Sequence, residues 1–166
     1  IAYCELTEIQ AIDTPAGKAK VEEVRFYESG KIERCQRANC SEPQTMKTPA
    51  GTMNVGFVIE FFESGKTRAC HLAEPQVIDT PLGKVKAWEV DFHESGKIRG
   101  YKLGTQPQTI ETTAGTMSVL ACEFYESGKI RLAKLFEKAT IQGKEFSKDC
   151  YLGWDENGKF LGKMKW

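Results

Sequence analysis

Carboxylates recur at one position of a repeated turn, and they are the first residues of this sequence that could do chemistry. The five are Glu28, Glu63, Glu94, Glu126 and Glu156. A row of carboxylates could bind a cation, and a suitably spaced pair could hydrolyse a glycosidic bond. A lysine follows each of them three residues later, however, and surface ion pairs of this kind are common and weak. We therefore expect solvated turn residues, with no catalytic residue and no cofactor.

Histidine and cysteine offer the next possible chemistry. The two histidines are His71 and His93, and a general base would need an oriented neighbour that the sequence does not supply. Cys35, Cys40, Cys70 and His71 could be drawn as a metal site. Their C-x4-C spacing followed by C-H is unlike zinc sites, because adjacent ligands rarely converge on one tetrahedral ion. We expect no metal site, and the phosphate-binding and nucleophile motifs G-x-x-x-x-G-K-[ST] and G-x-S-x-G are missing from the sequence.

An internal repeat of about 32 residues positions all of these side chains. "FYESGKIE" at 26 returns as "FFESGKTR" at 61, "FHESGKIR" at 92, "FYESGKIR" at 124 and, more weakly, "WDENGKFL" at 154. Two more motifs share the period: a T-P-x-G element such as "DTPAG" at 13, and an E-P-Q element such as "SEPQTM" at 41. Four clear copies and a weaker fifth divide one domain, 1-166, into units 5-38, 39-71, 72-103, 104-136 and 137-166.

Each E-S-G-K element is predicted to be the turn of a β-hairpin. Glycine reaches positive φ without a steric clash, and Gly30 suits a three-residue hairpin loop. This register places Phe26 opposite Ile32 beneath the turn, and Arg25 opposite Glu33, with opposite charges facing each other in all four clear copies. The T-P-x-G element is a second turn, with proline at i+1. Each unit then supplies about three short strands, and the fold class is all-β, an antiparallel β-meander of hairpin repeats.

The long strand of each unit alternates apolar and polar residues, as a half-buried strand does. In the first copy the alternation shifts at Val21 and Ala19, which predicts a β-bulge. In the second copy it continues without a break through Phe57, Val55 and Met53.

The elements F-Y-E-S-G-K-I and W-D-E-N-G-K-F resemble the Y-x-N-G-K core of bacterial MORN-like (YwqK-type) repeats. The resemblance covers some eight residues in each of five copies, and this unit is longer by an inserted turn and strand. It implies an elongated or curled antiparallel sheet with a binding or scaffolding role.

The six cysteines are typical of an exported protein, periplasmic, cell-surface or secreted. Cys4, Cys35 and Cys70 share one column of the repeat, Cys122 and Cys150 share another, and Cys40 lies in an insertion. We predict a Cys122–Cys150 disulfide and two more among the other four, provided that their Cα atoms lie within ~7 Å. Reduced, buried cysteines are the alternative.

The charge balance and hydropathy narrow the range of partners. The 23 basic and 23 acidic residues cancel, which argues against a nucleic-acid partner held by net charge. No apolar run approaches the ~18 residues of a membrane-spanning helix. The chain begins at Ile1 and not at Met, so we expect a leader or tag to have been removed.

Aromatic side chains are the remaining candidates for binding. One column of the turn, pointing away from the Phe26 face, and two further rings form the predicted surface: Tyr27, Phe62, His93, Tyr125, Trp88 and Tyr101. Such rings suit a protein or cell-surface glycan, unless they pack beneath the next layer of the fold. We predict a non-catalytic binding or scaffold module of an exported protein that mediates protein–protein interaction. The alternatives are a carbohydrate- or cell-wall-binding module, an inhibitor or immunity-like protein, and a small hydrolase that uses the repeat carboxylates.

Overall fold

The computed structural model describes residues 2–36 and 44–165, and their regular structure is entirely β-strand. The strands are β1 (Ala2–Thr14), β2 (Gly17–Phe26), β3 (Ile32–Gln36), β4 (Gln44–Thr48), β5 (Gly51–Phe61), β6 (Thr67–Thr80), β7 (Gly83–Phe92), β8 (Ile98–Lys102), β9 (Gln108–Thr112), β10 (Gly115–Phe124), β11 (Ile130–Leu135), β12 (Ala139–Ile141), β13 (Lys144–Phe146), β14 (Tyr151–Trp154) and β15 (Phe160–Met164).

The strands form an antiparallel meander, which confirms the predicted fold class. Within the described residues, the main sheet runs in the order β1-β2-β3-β5-β6-β7-β8-β10-β11-β14-β15. Strand β4 pairs with β5 and β9 pairs with β10 beside this path, while β12 and β13 form a separate two-stranded sheet. Consecutive strands therefore neighbour each other, as hairpin repeats require.

The E-S-G-K turns are hairpin loops, as predicted. The inward pairs beneath them are Phe26↔Ile32, Phe61↔Thr67, Phe92↔Ile98, Phe124↔Ile130 and Trp154↔Phe160. In the first loop Tyr27 N–H donates to Lys31 O at 2.8 Å, and Gly30 has φ 79°. A side chain at this φ would be strained, so glycine is the residue that closes the loop.

The next predicted pair is wrong, because a bulge follows the first one. Arg25 lies opposite Arg34 and not opposite Glu33, and Glu60 lies opposite Ala69. The extra residue of each bulge is the one that had been assigned to the pair. Arg68 nevertheless reaches Glu60, with Nη2 3.1 Å from Oε2. Opposite charges therefore meet here without being directly opposite on the ladder.

Every long strand also slips in register near its middle. Between β1 and β2 the pairing passes from Glu5↔Glu23 to Gln10↔Val21, which confirms the predicted bulge of the first copy. Between β5 and β6 it slips between Val55 and Ile59. The unbroken alternation predicted for the second copy is therefore wrong, and Phe57 is exposed at this break while Val55 is buried.

These breaks fold the sheet over into two layers. A straight strand of ten residues would hold its two turns roughly 33 Å apart. The T-P-x-G turn of one repeat instead meets the E-S-G-K turn of the next repeat, since Pro15 Cγ lies 3.7 Å from where a Cβ atom on Gly65 would stand. The same contact joins Pro49 to Gly96 and Pro81 to Gly128. The T-P-x-G hairpins form one layer, the E-S-G-K hairpins form the other, and the apolar residues of both build one core between them.

Candidate functional site

The predicted aromatic column of the E-S-G-K turns joins neighbouring repeats. The contacts are Tyr27 Oη to the Phe61 carbonyl (2.7 Å), His93 Nε2 to the Phe124 carbonyl (3.1 Å) and Tyr125 Oη to the Trp154 carbonyl (2.8 Å). These three side chains and Phe62 are half-buried. Tyr27, His93 and Tyr125 therefore each bond the following repeat, and the column does not present an open row of rings to a ligand.

The lysines of the same turns act in a similar way. Lys31 Nζ donates to Glu63 O at 2.9 Å, Lys66 Nζ to Glu94 O at 2.9 Å, and Lys97 Nζ to Glu126 O at 3.0 Å. The five turn carboxylates are exposed. Each of these three lysines thus bonds the backbone of the following turn and helps to hold successive repeats together.

Four of the five described cysteines, Cys35, Cys70, Cys122 and Cys150, are buried and Cys4 is exposed. The predicted disulfides are wrong for the cysteines that the structure describes. A row of directly opposite residues crosses the sheet: Cys4, Val24, Cys35, Ile59, Cys70, Val90, Tyr101, Cys122, Ala133 and Leu152. One strand separates Cys35 from Cys70, so their Cα atoms lie roughly 9.6 Å apart, beyond the ~7 Å limit. Strand β11 likewise separates Cys122 from Cys150. No two described cysteines approach disulfide distance, and Cys40 lies outside the described residues.

Burial keeps three of these thiols protonated. It raises the pKa of Cys35, Cys70 and Cys122 to about 12 in each case. The alternative of reduced, buried cysteines holds for these three. Export was predicted from the number of cysteines in the chain, and it stays a prediction.

Potential metal ligands are dispersed. Within 2–36 and 44–165, no group of three or more His, Cys, Asp or Glu side chains could hold a metal ion. His71 Nε2 lies 3.7 Å from Glu89 Oε2 on the outer face, whereas Cys35 and Cys70 lie in the core.

The glutamine of the E-P-Q motif is a residue whose role the sequence did not reveal. In the T-P-x-G layer the hairpins of successive repeats do not pair through backbone ladders. We call the boundary between the T-P-x-G hairpins of two successive repeats a seam. Gln44 Oε1 accepts from Lys20 N–H at 2.9 Å across the first seam. Across the next, Gln76 accepts from Asn54 N–H at 3.0 Å and donates to Asn54 O at 2.7 Å. Across the first of these seams Lys47 N–H also donates to Ala16 O at 3.0 Å. The side-chain amide supplies the bonds that a ladder would make here, and we call this contact the glutamine stitch.

The seam between the third and fourth repeats lacks this stitch. Lys86 is the counterpart of Lys20 and Asn54, one residue before the buried Ala87. The counterpart glutamine, Gln108, turns away from it, and its Oε1 accepts from Tyr101 Oη at 2.7 Å. An open cleft of about 570 Å³ lies at this place. We call it the seam cleft.

Tyr101 causes this departure from the repeat. It stands in the inward row where β3 has Cys35 and β6 has Cys70. Its side chain is 1% exposed, so the prediction that Tyr101 belongs to a binding surface is wrong. A phenol is longer than a thiol, and its hydroxyl extends from the core far enough to bond Gln108.

Trp88 is the predicted aromatic that lies at the surface. It occupies the break in β7 and is 41% exposed, as a wall of the seam cleft. Its indole packs on the backbone of Gly104, which leaves no room for a Cβ atom there. A neighbouring cleft of about 540 Å³, which also includes Phe57, shares Trp88 as a wall. Two exposed aromatic rings therefore lie in connected surface depressions.

The seam cleft is basic and its neighbour is mixed in charge. Lys84 and Lys86 line the seam cleft, and no carboxylate lines it. Neither lysine forms an ion pair with a described side chain. In the neighbouring cleft Lys102 Nζ lies 2.6 Å from Glu89 Oε2, and the hydrogen bond to Glu89 raises the pKa of Lys102.

Comparison of the chain with protein-family models, curated proteins and solved structures gives no match. The described part of the chain also contains no helix that could cross a membrane. The site is therefore interpreted from its own geometry.

Proposed function

We propose that this protein is a non-catalytic binding module and that the seam cleft is its recognition site for a segment of a partner protein. The observation that carries the proposal is the break in the repeat at this one seam. Gln44 and Gln76 bond the neighbouring repeat at the equivalent position. Gln108 does not, and an exposed indole lies beside the resulting gap.

The shape and chemistry of the cleft favour a protein segment. Its floor includes the strand β7, whose backbone at Lys86 is not paired across the seam by a glutamine. Extended peptides bind such strand edges through main-chain hydrogen bonds, and flanking pockets select their side chains. Trp88 supplies a large, rigid apolar surface of the kind that dominates protein interfaces. The likeness of the repeated turns to MORN-like repeats fits the same scaffolding role.

A glycan partner is the second candidate, because a tryptophan face flanked by polar side chains also suits a sugar ring. The column of turn rings gives it no support, since the polar ends of Tyr27, His93 and Tyr125 are bonded within the fold.

A displayed library of random peptides tests the proposal. The folded protein is the bait, and enriched peptides are measured again with Trp88→Ala. We expect at least tenfold weaker binding, because truncating a buried aromatic anchor costs more than about 1.4 kcal/mol. Leu161→Ala is the matched control, since Leu161 is an exposed apolar residue of β15 outside both clefts.

Peptides that bind the Trp88→Ala protein as well as the original would place recognition elsewhere. A library without enrichment, together with Trp88-dependent binding on a glycan array, would replace the protein partner with a carbohydrate.

A further inference from the structure

Four long strands present an equivalent backbone position to the following repeat. The positions are Lys20, Asn54, Lys86 and Ser118, each one residue before a buried residue of the T-P-x-G layer. Three of them are bonded across their seam: Lys20 N–H to Gln44 (2.9 Å), Asn54 N–H and O to Gln76 (3.0 and 2.7 Å), and Ser118 O to Phe136 N–H (2.9 Å). Among the described contacts, Lys86 alone of the four has no such bond.

The protein itself shows what chemistry fits the vacant position. In the second seam a primary carboxamide bonds both the N–H and the carbonyl of Asn54. In the first seam it accepts from the N–H of Lys20. Since Lys86 has the same place in the register, opposite Val77 as Asn54 is opposite Thr45, its free groups face the seam cleft in the same way.

We propose that the seam cleft binds an extended peptide whose glutamine or asparagine amide pairs with the backbone of Lys86, with acidic residues flanking that amide. The inference rests on the proposed function and specifies the residue types of the partner segment. The amide replaces the glutamine stitch that Gln108 leaves unmade, and an apolar residue of the peptide packs on Trp88.

The acidic flanks follow from the charges around the position. Lys84 and Lys86 are both exposed, and the lining residues that face them across the cleft, Thr105, Gln106 and Gln108, are uncharged. A carboxylate on the peptide therefore meets two cations in the lining of the cleft, and Asp79, which is opposite Lys84 on the β6–β7 ladder, lies outside that lining. The chain contains a segment with this character, Leu72–Thr80, "LAEPQVIDT", which carries Glu74, Gln76 and Asp79 and makes the stitch in the preceding seam.

A fluorescein-labelled synthetic peptide of that sequence is the probe, and its binding to the intact protein is followed by fluorescence anisotropy. We expect saturable binding that weakens about tenfold when the peptide carries Gln76→Leu, the loss of two hydrogen bonds. Binding should also weaken as ionic strength rises from about 0.05 M to about 0.5 M, because the flanking charges become screened.

The variant Tyr101→Phe gives the sharper test, because Tyr101 is buried and does not line the seam cleft. In Tyr101→Phe the hydroxyl is gone, so Gln108 is released to make the stitch with Lys86 and to close the cleft. We expect about tenfold weaker binding of the peptide. In Tyr101→Phe/Gln108→Ala the competing amide is removed, and binding should return to the original level.

Equal binding to the Tyr101→Phe protein and the original would overturn the proposed position of the amide. A probe that fails to bind, or that binds equally with Gln76→Leu, would overturn the proposed peptide chemistry. Should Tyr101→Phe fold poorly, Lys84→Glu supplies the second measurement, and binding of the acidic probe unaltered by that charge reversal would contradict the assignment. Library peptides that need Trp88 but contain neither amide nor acid would sink this inference and leave the proposed function standing.

Discussion

Removing one glutamine stitch should destabilise the fold, whereas removing the same residue from an unstitched position should not. Gln76 makes two hydrogen bonds to the backbone of Asn54, at 3.0 and 2.7 Å. Gln10 occupies the same place in the first E-P-Q motif, is exposed, and bonds no described residue through its side chain. Gln76→Ala and Gln10→Ala therefore delete identical atoms, but only Gln76→Ala removes a glutamine stitch.

The magnitude follows from the number of bonds and their burial. Each hydrogen bond contributes about 0.5–1.5 kcal/mol net. The groups are half-buried, so water replaces part of the loss, and about 1–2 kcal/mol remains. For a chain of this size that is a drop in Tm of about 3–6 °C. Gln10→Ala should stay within about 0.5 kcal/mol of the original protein, as ordinary surface substitutions do.

Urea denaturation followed by tryptophan fluorescence measures both variants. We expect Gln76→Ala to lower the denaturation midpoint with an unchanged m-value, since the surface exposed on unfolding is the same. An unshifted midpoint for Gln76→Ala, or an equal shift for both variants, would refute the idea that side-chain amides hold the T-P-x-G layer together.

Three further predictions follow from buried groups and close contacts. Burial raises the pKa of Cys35, Cys70 and Cys122 to about 12, so their stabilising contribution is complete below the ordinary value near 9 and is lost as pH rises towards 12. Between about pH 8 and about pH 10 the free energy of unfolding, measured by urea denaturation, should fall by about 1.4 kcal/mol per thiol. Replacing all three cysteines by alanine should make this fall smaller. An equal fall in the original protein and the triple variant would contradict the assignment. Gly104→Ala should push the neighbouring indole outward, weakening peptide binding with a Tm change below about 2 °C; unaltered binding and fluorescence would count against that contact. Gly56→Ala places a Cβ atom 2.8 Å from a backbone atom of β6 and should cost about 1–3 kcal/mol by urea denaturation, and a neutral result would show that the strands can separate there.

The hairpins were predictable because their signal is local. A turn glycine fixes the loop, and the period-two pattern then fixes which face Phe26 and Ile32 share. The next pair was not predictable from charge. Arg68 and Glu60 form their ion pair across a bulge, so complementary charges eight residues apart are satisfied by either register. Long charged side chains can reach each other in either register, so their pairing does not reveal a one-residue slip, whereas the backbone hydrogen bonds do.

The prediction of disulfides was wrong for a reason that applies to any repeat of this kind. Each unit adds two strands to the E-S-G-K layer, a long strand and its return. Equivalent positions in successive units, such as Cys35 and Cys70, are therefore never on adjacent strands. Sharing a column places two cysteines on one face at the same height, but it keeps them two strand spacings apart.

The binding site was only partly visible in the sequence. Trp88 was a candidate by residue type, but its exposure depends on the break in β7, and the apolar pattern was used to predict a break in the first copy alone. Tyr101 did carry a signal, since it replaces the small residue that Cys35 and Cys70 supply in the inward row. The stitch itself requires knowing that neighbouring T-P-x-G hairpins do not pair, which is a property of the folded layers.

The open seam does not divide the domain, because the two layers are fastened independently. In the E-S-G-K layer the third repeat still bonds the fourth through Lys97 Nζ to Glu126 O and His93 Nε2 to Phe124 O. Pro81 still packs on Gly128 where the layers meet. Repeat proteins gain stability from each interface between neighbours, and here one half of one interface is left unbonded while its other half holds the repeats in place. A peptide that binds in the seam cleft therefore completes an existing interface on a rigid support, and little ordering of the protein itself opposes its binding.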